Sequence, residues 1–241
     1  MGLIIQKFGG TSIADRVCLY NVANIIARRI KEGHQVVTVV SAQGDDTDHL
    51  YAKAVEIVSH PNPRELDALL SSGEQISASL LAITLNSMNI PAISLTGAQA
   101  GILTDQAYGN AKIKAINPEY IRKHLNEGKT VIVTGFQGVD EEGNTTTLGR
   151  GGSDTSAVAL AAYLNANICR IYKDVDGIYS TDPRKDLNAK KYNNLTYDQM
   201  LNIADKGSQV LQRRSIEMAK EHHIELQILS SFQHSSGTII C

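Results

Sequence analysis

The chain has 241 residues, 42% hydrophobic and without tryptophan, enough for one large domain or two small ones around a sizeable core. A net charge of −2 and a pI of about 6.4 leave no basic footprint for nucleic acid or an anionic membrane surface. Its three cysteines, Cys18, Cys169 and Cys241, lie far apart with no CxxC pair, which argues for free thiols in a cytoplasmic protein and against a disulfide framework or structural zinc.

No basic segment followed by a long apolar stretch opens the chain, so no signal peptide is predicted. An apolar run at Leu3-Ile4-Ile5 leads into Lys7, then Phe8, Gly9, Gly10, Thr11 and Ser12, with a helix predicted from about Asp15 to Glu32. This reads as a buried strand, a glycine turn and a helix N-terminus. Such a turn presents backbone N–H groups to an anion, and paired glycines let it approach closely. A phosphate site with Lys7 as its mobile charge is one reading; a tight strand-to-helix turn with a surface lysine is the other.

Residues 35–41 are β-branched and apolar on both faces, as in a buried parallel strand. Helices are predicted at 47–59, 64–70 and 73–87, the first two separated by the His60-Pro61-Asn62-Pro63 break. A strand follows at 90–95, short strands and glycines at 96–115, a helix at 118–127 and a strand at 130–134. Residues 138–147 form a hairpin candidate around Glu142-Gly143. Then come a helix at 153–164, a strand at 168–172, polar turns at 174–194, helices at 196–204 and 208–222, and strands at 226–229 and 238–240. The longest apolar run, Ala157 to Leu164, is far short of the ~20 residues of a membrane span. Alternating strands and helices predict a mostly parallel α/β sheet with helices on both faces.

Two further stretches concentrate chemistry. In Leu148–Thr155, LGRGGSDT, three glycines free the backbone beside Arg150, a bidentate donor for carboxylate or phosphate. Ser153 or Asp154 there could cap a helix or serve a site. In residues 173–184, KDVDGIYSTDPR, acidic residues follow a buried strand where they could meet a metal or a ribose, or simply build a turn. The spacing is not that of a calcium loop, because Lys185 stands where the closing glutamate belongs. Neither a P-loop nor a dinucleotide fingerprint is present: Lys123 replaces the first P-loop glycine, and Asp154 replaces the third glycine after Gly149-x-Gly151.

Taken together, KFGGTS at 7–12, SSGEQIS at 71–77, GFQG at 135–138, LGRGGSDTSA at 148–157 and DVDGIYSTDPR at 174–184 resemble the aspartate kinases of the amino acid kinase family, in that family's order and over almost the whole chain. The resemblance implies a three-layer α/β sandwich with an amino-acid half, about 1–134, and an ATP half, about 135–241. It implies transfer of the ATP γ-phosphoryl group to the side-chain carboxylate of aspartate with Mg²⁺, the first step toward lysine, threonine and methionine. Aspartate and ATP are then the partners, with neither nucleic acid nor membrane, and a homodimer is allowed.

By the same resemblance Lys7 and Asp154 are catalytic, Asp154 orienting Lys7. Thr47, Glu74, Arg150 and Ser153 hold the amino acid. Lys7, Phe8, Gly9, Gly10, Ser12, Lys173, Asp174, Tyr179, Arg184 and Gln209 hold ATP, and no residue is implied as a direct metal ligand. Two positions depart from the family pattern: Asp45 stands where a lysine is common, and Gln209 replaces a nucleotide-contacting lysine. Regulatory ACT domains would begin near residue 241 in such enzymes, and none is expected within this chain. The alternatives are a kinase of this fold acting on another carboxylate and a nucleotide-binding regulatory protein with weak turnover.

Overall fold

The computed structural model describes residues 2–241 apart from Asp182, Arg184, Lys185, Leu187 and Gln209. The predicted positions Arg184 and Gln209 therefore lie outside the described residues. The strands are β1 (Leu3–Phe8), β2 (Gln35–Val40), β3 (Ala92–Leu95), β4 (Ile102–Thr104), β5 (Ile113–Ile116), β6 (Thr130–Thr134), β7 (Gln137–Val139), β8 (Thr145–Thr147), β9 (Ile168–Lys173), β10 (Ile178–Tyr179), β11 (Lys191–Tyr192), β12 (Asn194–Leu195), β13 (Leu226–Ser230) and β14 (Thr238–Ile240). The helices are α1 (Arg16–Lys31), α2 (Asp46–Ile57), α3 (Pro63–Ser87), α4 (Glu119–Asn126), α5 (Gly152–Leu164), α6 (Tyr197–Asp205) and α7 (Arg213–Glu221).

The main sheet runs β12-β14-β13-β9-β1-β2-β6-β3, and every neighbouring pair is parallel except β13 with β14. Alternate side chains of the central strands enter two separate cores. Ile5, Val37, Val133 and Ile171 pack with α4, α5 and α7, whereas Phe8, Val40, Ile132 and Tyr172 pack with α1 and α3. The result is the predicted three-layer α/β sandwich. From β1 the chain winds one way to β2 and β6, and from β9 the other way to β13. The carboxyl ends of β1 and β9 thus flank a topological switch point, where open α/β sheets bind ligands. Lys7 and Lys173 stand at those two ends.

A second sheet, β5-β4-β7-β8, lies against α3. The buried Asp67 carboxylate of α3 accepts hydrogen bonds from Thr147 N and Oγ1 at 2.7 Å each and from Gly109 N at 2.9 Å, fixing the β7–β8 hairpin to the helix.

Three expectations are revised. The helices predicted at 64–70 and 73–87 are one helix of 25 residues, α3, capped by Asn62 with Pro63 in its first turn. Gly73 does not break it: a Cβ there would lie 2.8 Å from the Ala42 Cβ, so glycine serves the close approach of the 41–45 loop. By length and composition this helix could span a membrane, unlike the run weighed from sequence, yet 56% of its most apolar window is buried inside the protein. The helix predicted from 208 starts at Arg213, because Gln212 is extended over the Gly151 backbone. Neither Ser153 nor Asp154 caps α5; Gly151 takes the N-cap position with φ +69° and no side chain caps the helix.

Candidate active site

At the end of β1, Gly9 is extended and Gly10–Ile13 form a single 3-10 turn. A Cβ on Gly10 would meet the Ala42 carbonyl oxygen at 2.6 Å, so this glycine seats the turn on the loop after β2. Gly9 is different. Among the described residues, the one atom within 4 Å of its missing Cβ is Lys7 Nζ, at 3.7 Å, which leaves the backbone approachable. The helix expected from about Asp15 is α1, which begins at Arg16 with Asp15 as its N-cap, accepting from Cys18 N, so the 3-10 turn separates its N-terminus from the glycines. The uncapped N-terminus near the lysines is that of α5. Phe8 puts its ring in the core, stacked on Tyr172 at 4.5 Å, so only its backbone is available to a ligand. Ser12 is buried, with its hydroxyl 2.6 Å from that of Ser231, and ties the turn to the loop after β13.

Asp154, one turn into α5, joins the two strand ends. Lys7 Nζ is 2.8 Å from Oδ1, and Lys173 Nζ donates to Oδ2 at 2.7 Å. The carboxylate is 4% exposed, the Lys7 side chain 7% and the Lys173 side chain 19%. Burial pushes the Asp154 carboxyl up, but the two ammonium groups outweigh it and hold it below the usual range. For Lys7, burial and the neighbouring charge of Lys173 exceed the pull of Asp154 and lower its pKa. Two cations on one anion leave a net positive charge, suited to an incoming phosphoryl group.

Beside this node Glu74 of α3 is buried. Its Oε1 accepts from Ala42 N at 2.9 Å, and its Oε2 has no hydrogen-bond partner among the described residues. Burial pushes its pKa up to about 7, against the Ala42 N–H and the charge of Lys7. Thr47 is half-buried in the first turn of α2, and no hydrogen bond joins it to Glu74. Ser153 packs on the carboxyl end of β6, where a Cβ on Gly135 would come within 2.8 Å of its hydroxyl. Arg150 is exposed between Gly149 and Gly151, both at positive φ, and its guanidinium makes no ion pair among the described residues.

On the other side of Lys173 opens a cavity of about 870 Å³, lined by Lys173, Asp174, Tyr179, Tyr192, Lys206 and Val210 among others. Asp176 braces it, accepting from Tyr179 Oη and Lys191 Nζ at 2.8 Å each. Three of the predicted nucleotide residues, Lys173, Asp174 and Tyr179, therefore meet in one cavity, and Lys173 also belongs to the charged node. Sequence reasoning missed Lys206 and Tyr192 as lining residues and Ser231 as the partner of Ser12. A Lys-Gly-Ser turn signalled the first; nothing local signalled Ser231, which is 219 residues from Ser12. Among the described residues no group of three His, Cys, Asp or Glu side chains could hold a metal ion.

The sequence pattern of the amino acid kinase family matches residues 2–230. An aspartokinase from Bacillus sp. (strain MGA3) is 53% identical over 240 residues, covering 100% of this chain and 58% of the relative. One from Geobacillus stearothermophilus is 50% identical, with 100% and 59% covered. This chain thus spans a little under three fifths of the length of these relatives. Among solved structures, aspartate kinase from Synechocystis superposes with a TM-score of 0.88 at 45% identity, over 99% of this chain and 39% of that one. E. coli aspartokinase III in complex with aspartate and ADP gives 0.89 at 26% identity, over 99% and 64%. With its sheet, its charged node and this match over nearly its full length, the chain belongs to the amino acid kinase family.

Proposed function

We propose that this chain is the catalytic part of an aspartate kinase, transferring the γ-phosphoryl group of ATP to the β-carboxylate of L-aspartate to give 4-phospho-L-aspartate and ADP. The observation that carries this reading is the pair of lysines on Asp154 at the switch point of the sheet. An oxygen of the aspartate carboxylate attacks the γ-phosphorus as the bond to the β,γ-bridging oxygen breaks. The nucleophile is already ionised at neutral pH, so no general base is needed, which suits a site built from positive charges. Lys7 neutralises the transferring group, with the Gly9 backbone beside it. Lys173 meets the phosphates where they enter from the cavity, and Asp154 holds both ammonium groups in place.

Arg150 grips the α-carboxylate, Glu74 the ammonium group, and Thr47 and Ser153 complete the amino-acid pocket. Asp174 and Tyr179 hold the nucleoside end of ATP. Magnesium, when bound, would neutralise part of the phosphate charge, held mainly by the phosphates and water, since such ions use few protein carboxylates. Both oxygens of Asp154 face lysines, so this carboxylate is engaged with the two ammonium groups. The amino-acid side comprises the loops after β2 and β8 with α3, and the nucleotide side the segment after β9. Aspartate activation would place the enzyme in the cytoplasm, at the start of lysine, threonine and methionine synthesis.

Asp45, exposed at the N-cap of α2 beside Thr47, adds negative charge near the acceptor pocket and favours testing other acceptors in parallel. An ADP-release screen over acidic amino acids, with hydroxylamine trapping of acyl phosphate, decides the acceptor. Aspartate-dependent hydroxamate is expected. Turnover with another carboxylate alone would reassign the substrate, and nucleotide binding with no turnover on any would reject the kinase reading.

A further inference from the structure

The glycine-rich loop at 148–151 is held from outside by one side chain. Arg214, half-buried in the first turn of α7, donates from Nη1 to the Leu148 carbonyl and from Nη2 to the carbonyls of Gly149 at 3.3 Å and Arg150 at 2.5 Å. Three consecutive carbonyls converge on one guanidinium, whose planar fork is suited to such a task. The loop's backbone bonds lie at its ends, Leu148 N donating to the Phe136 carbonyl at 2.8 Å and Gly152 N to the Gly149 carbonyl at 2.9 Å, while Gly149 and Gly151 sit at positive φ on either side of Arg150. Neighbouring contacts seat α7 on the same turn: a Cβ on Gly151 would lie 2.1 Å from Gln212 Cγ, and the hydroxyls of Thr155 and Ser215 are 3.1 Å apart.

Arg214 makes no ion pair among the described residues. Burial lowers its pKa, and the one charge opposing this is Asp154. A guanidinium that serves only to stabilise the fold is usually matched by a carboxylate, because an unmatched buried charge is costly. Here its charge stays available beneath a loop whose outward side chain is another arginine.

We propose that Arg214 is a positioning residue for substrate binding, holding the 148–151 backbone so that the Arg150 guanidinium is aimed at the carboxylate of the amino acid. The part played by Arg150 rests on the functional reading above; the hold on the loop does not. Arg214→Lys keeps the charge but cannot span three carbonyls, and Arg214→Gln removes the charge as well. In both, amide hydrogen exchange at 149–152 should accelerate, a measurement that needs no ligand. The aspartate KM should rise on the order of ten-fold, more in Arg214→Gln, while ATP KM changes little. Retained ATP binding shows that each variant is folded. Unchanged exchange at 149–152 would overturn the hold on the loop. Faster exchange with an unchanged aspartate KM would overturn the role in substrate binding. If the wild-type enzyme accepts no amino acid, the functional reading fails and amide exchange alone decides whether Arg214 positions the loop.

Discussion

Lys173 belongs to two regions built in opposite ways. On one side, Lys7, Asp154 and Glu74 are almost wholly buried, and each comes from a long regular element: β1, α5 and α3. On the other, the cavity of about 870 Å³ is walled by two-residue strands, turns and the end of α6. The first region arrives with its charges already paired and oriented before any substrate binds. The second offers partly exposed polar groups such as Tyr179 and Asp174 and leaves room for a ligand. Preorganised charge acts on a transition state, whereas an open cavity mainly supplies binding energy. Substitutions in the node should therefore strike turnover and folding, and substitutions around the cavity should strike affinity.

The largest effect is expected at Asp154. Asp154→Ala would leave Lys7 and Lys173 facing each other with no anion between them. Removing one partner of a buried pair typically costs about 3–5 kcal/mol, which urea denaturation would register as a lower midpoint. An unchanged midpoint would mean that the lysines find other partners and that the node is less rigid than it looks.

Gly10→Ala tests how tightly the turn after β1 is seated. The new methyl would meet the Ala42 carbonyl at 2.6 Å, so backbone must move, at a cost of about 1–3 kcal/mol. Gly9→Ala, whose methyl would meet only Lys7 Nζ at 3.7 Å, should leave thermal stability nearly intact while weakening phosphate binding. Equal losses of stability in the two variants would contradict this division of labour.

Arg150→Lys sharpens the contrast from the substrate side. Lysine keeps the charge but loses the fork, so aspartate KM should rise about ten-fold with little change for ATP. Loss of ATP affinity instead would assign Arg150 to the phosphates.

Glu74 supplies a pH signature. Its folded pKa of about 7 lies above its ordinary value of 4.5. The stability it contributes is fully present below pH 4.5 and is lost as pH rises through about 7. An ammonium group binding at Glu74 favours the ionised form, so aspartate affinity should strengthen by up to about ten-fold between roughly pH 6 and 8, with proton release near neutrality. Calorimetry in buffers of different ionisation enthalpy measures that release. Glu74→Gln should abolish it and flatten the stability profile; persistence of the release would assign the proton to another group.

Legibility in the sequence followed the same division. The node could be read because its residues lie in compact motifs: Lys7 beside two glycines, Asp154 after three and Glu74 within SSGEQIS. The layers were legible too, since doubly buried strands such as 35–40 carry unbroken β-branched runs. The misreadings have a common cause in long-range packing. Ser71 and Ser72 resembled a gap between two helices but lie within α3, whose Gly73 meets Ala42, and Ser153 and Asp154 resembled helix caps but turn to Gly135 and the two lysines. Gln212 and Arg214 fell inside a predicted helix, where no local pattern marks residues that dock on a loop more than sixty positions earlier.

The measurement that bears most directly on the central claim is the pairing of kcat at saturating substrates with the ATP dissociation constant for Lys7→Ala. If the buried node acts on the transferring phosphoryl group, kcat falls about 10²–10³-fold while the dissociation constant shifts only a few-fold. A variant that binds ATP far more weakly yet turns over at the wild-type rate once saturated would contradict the account.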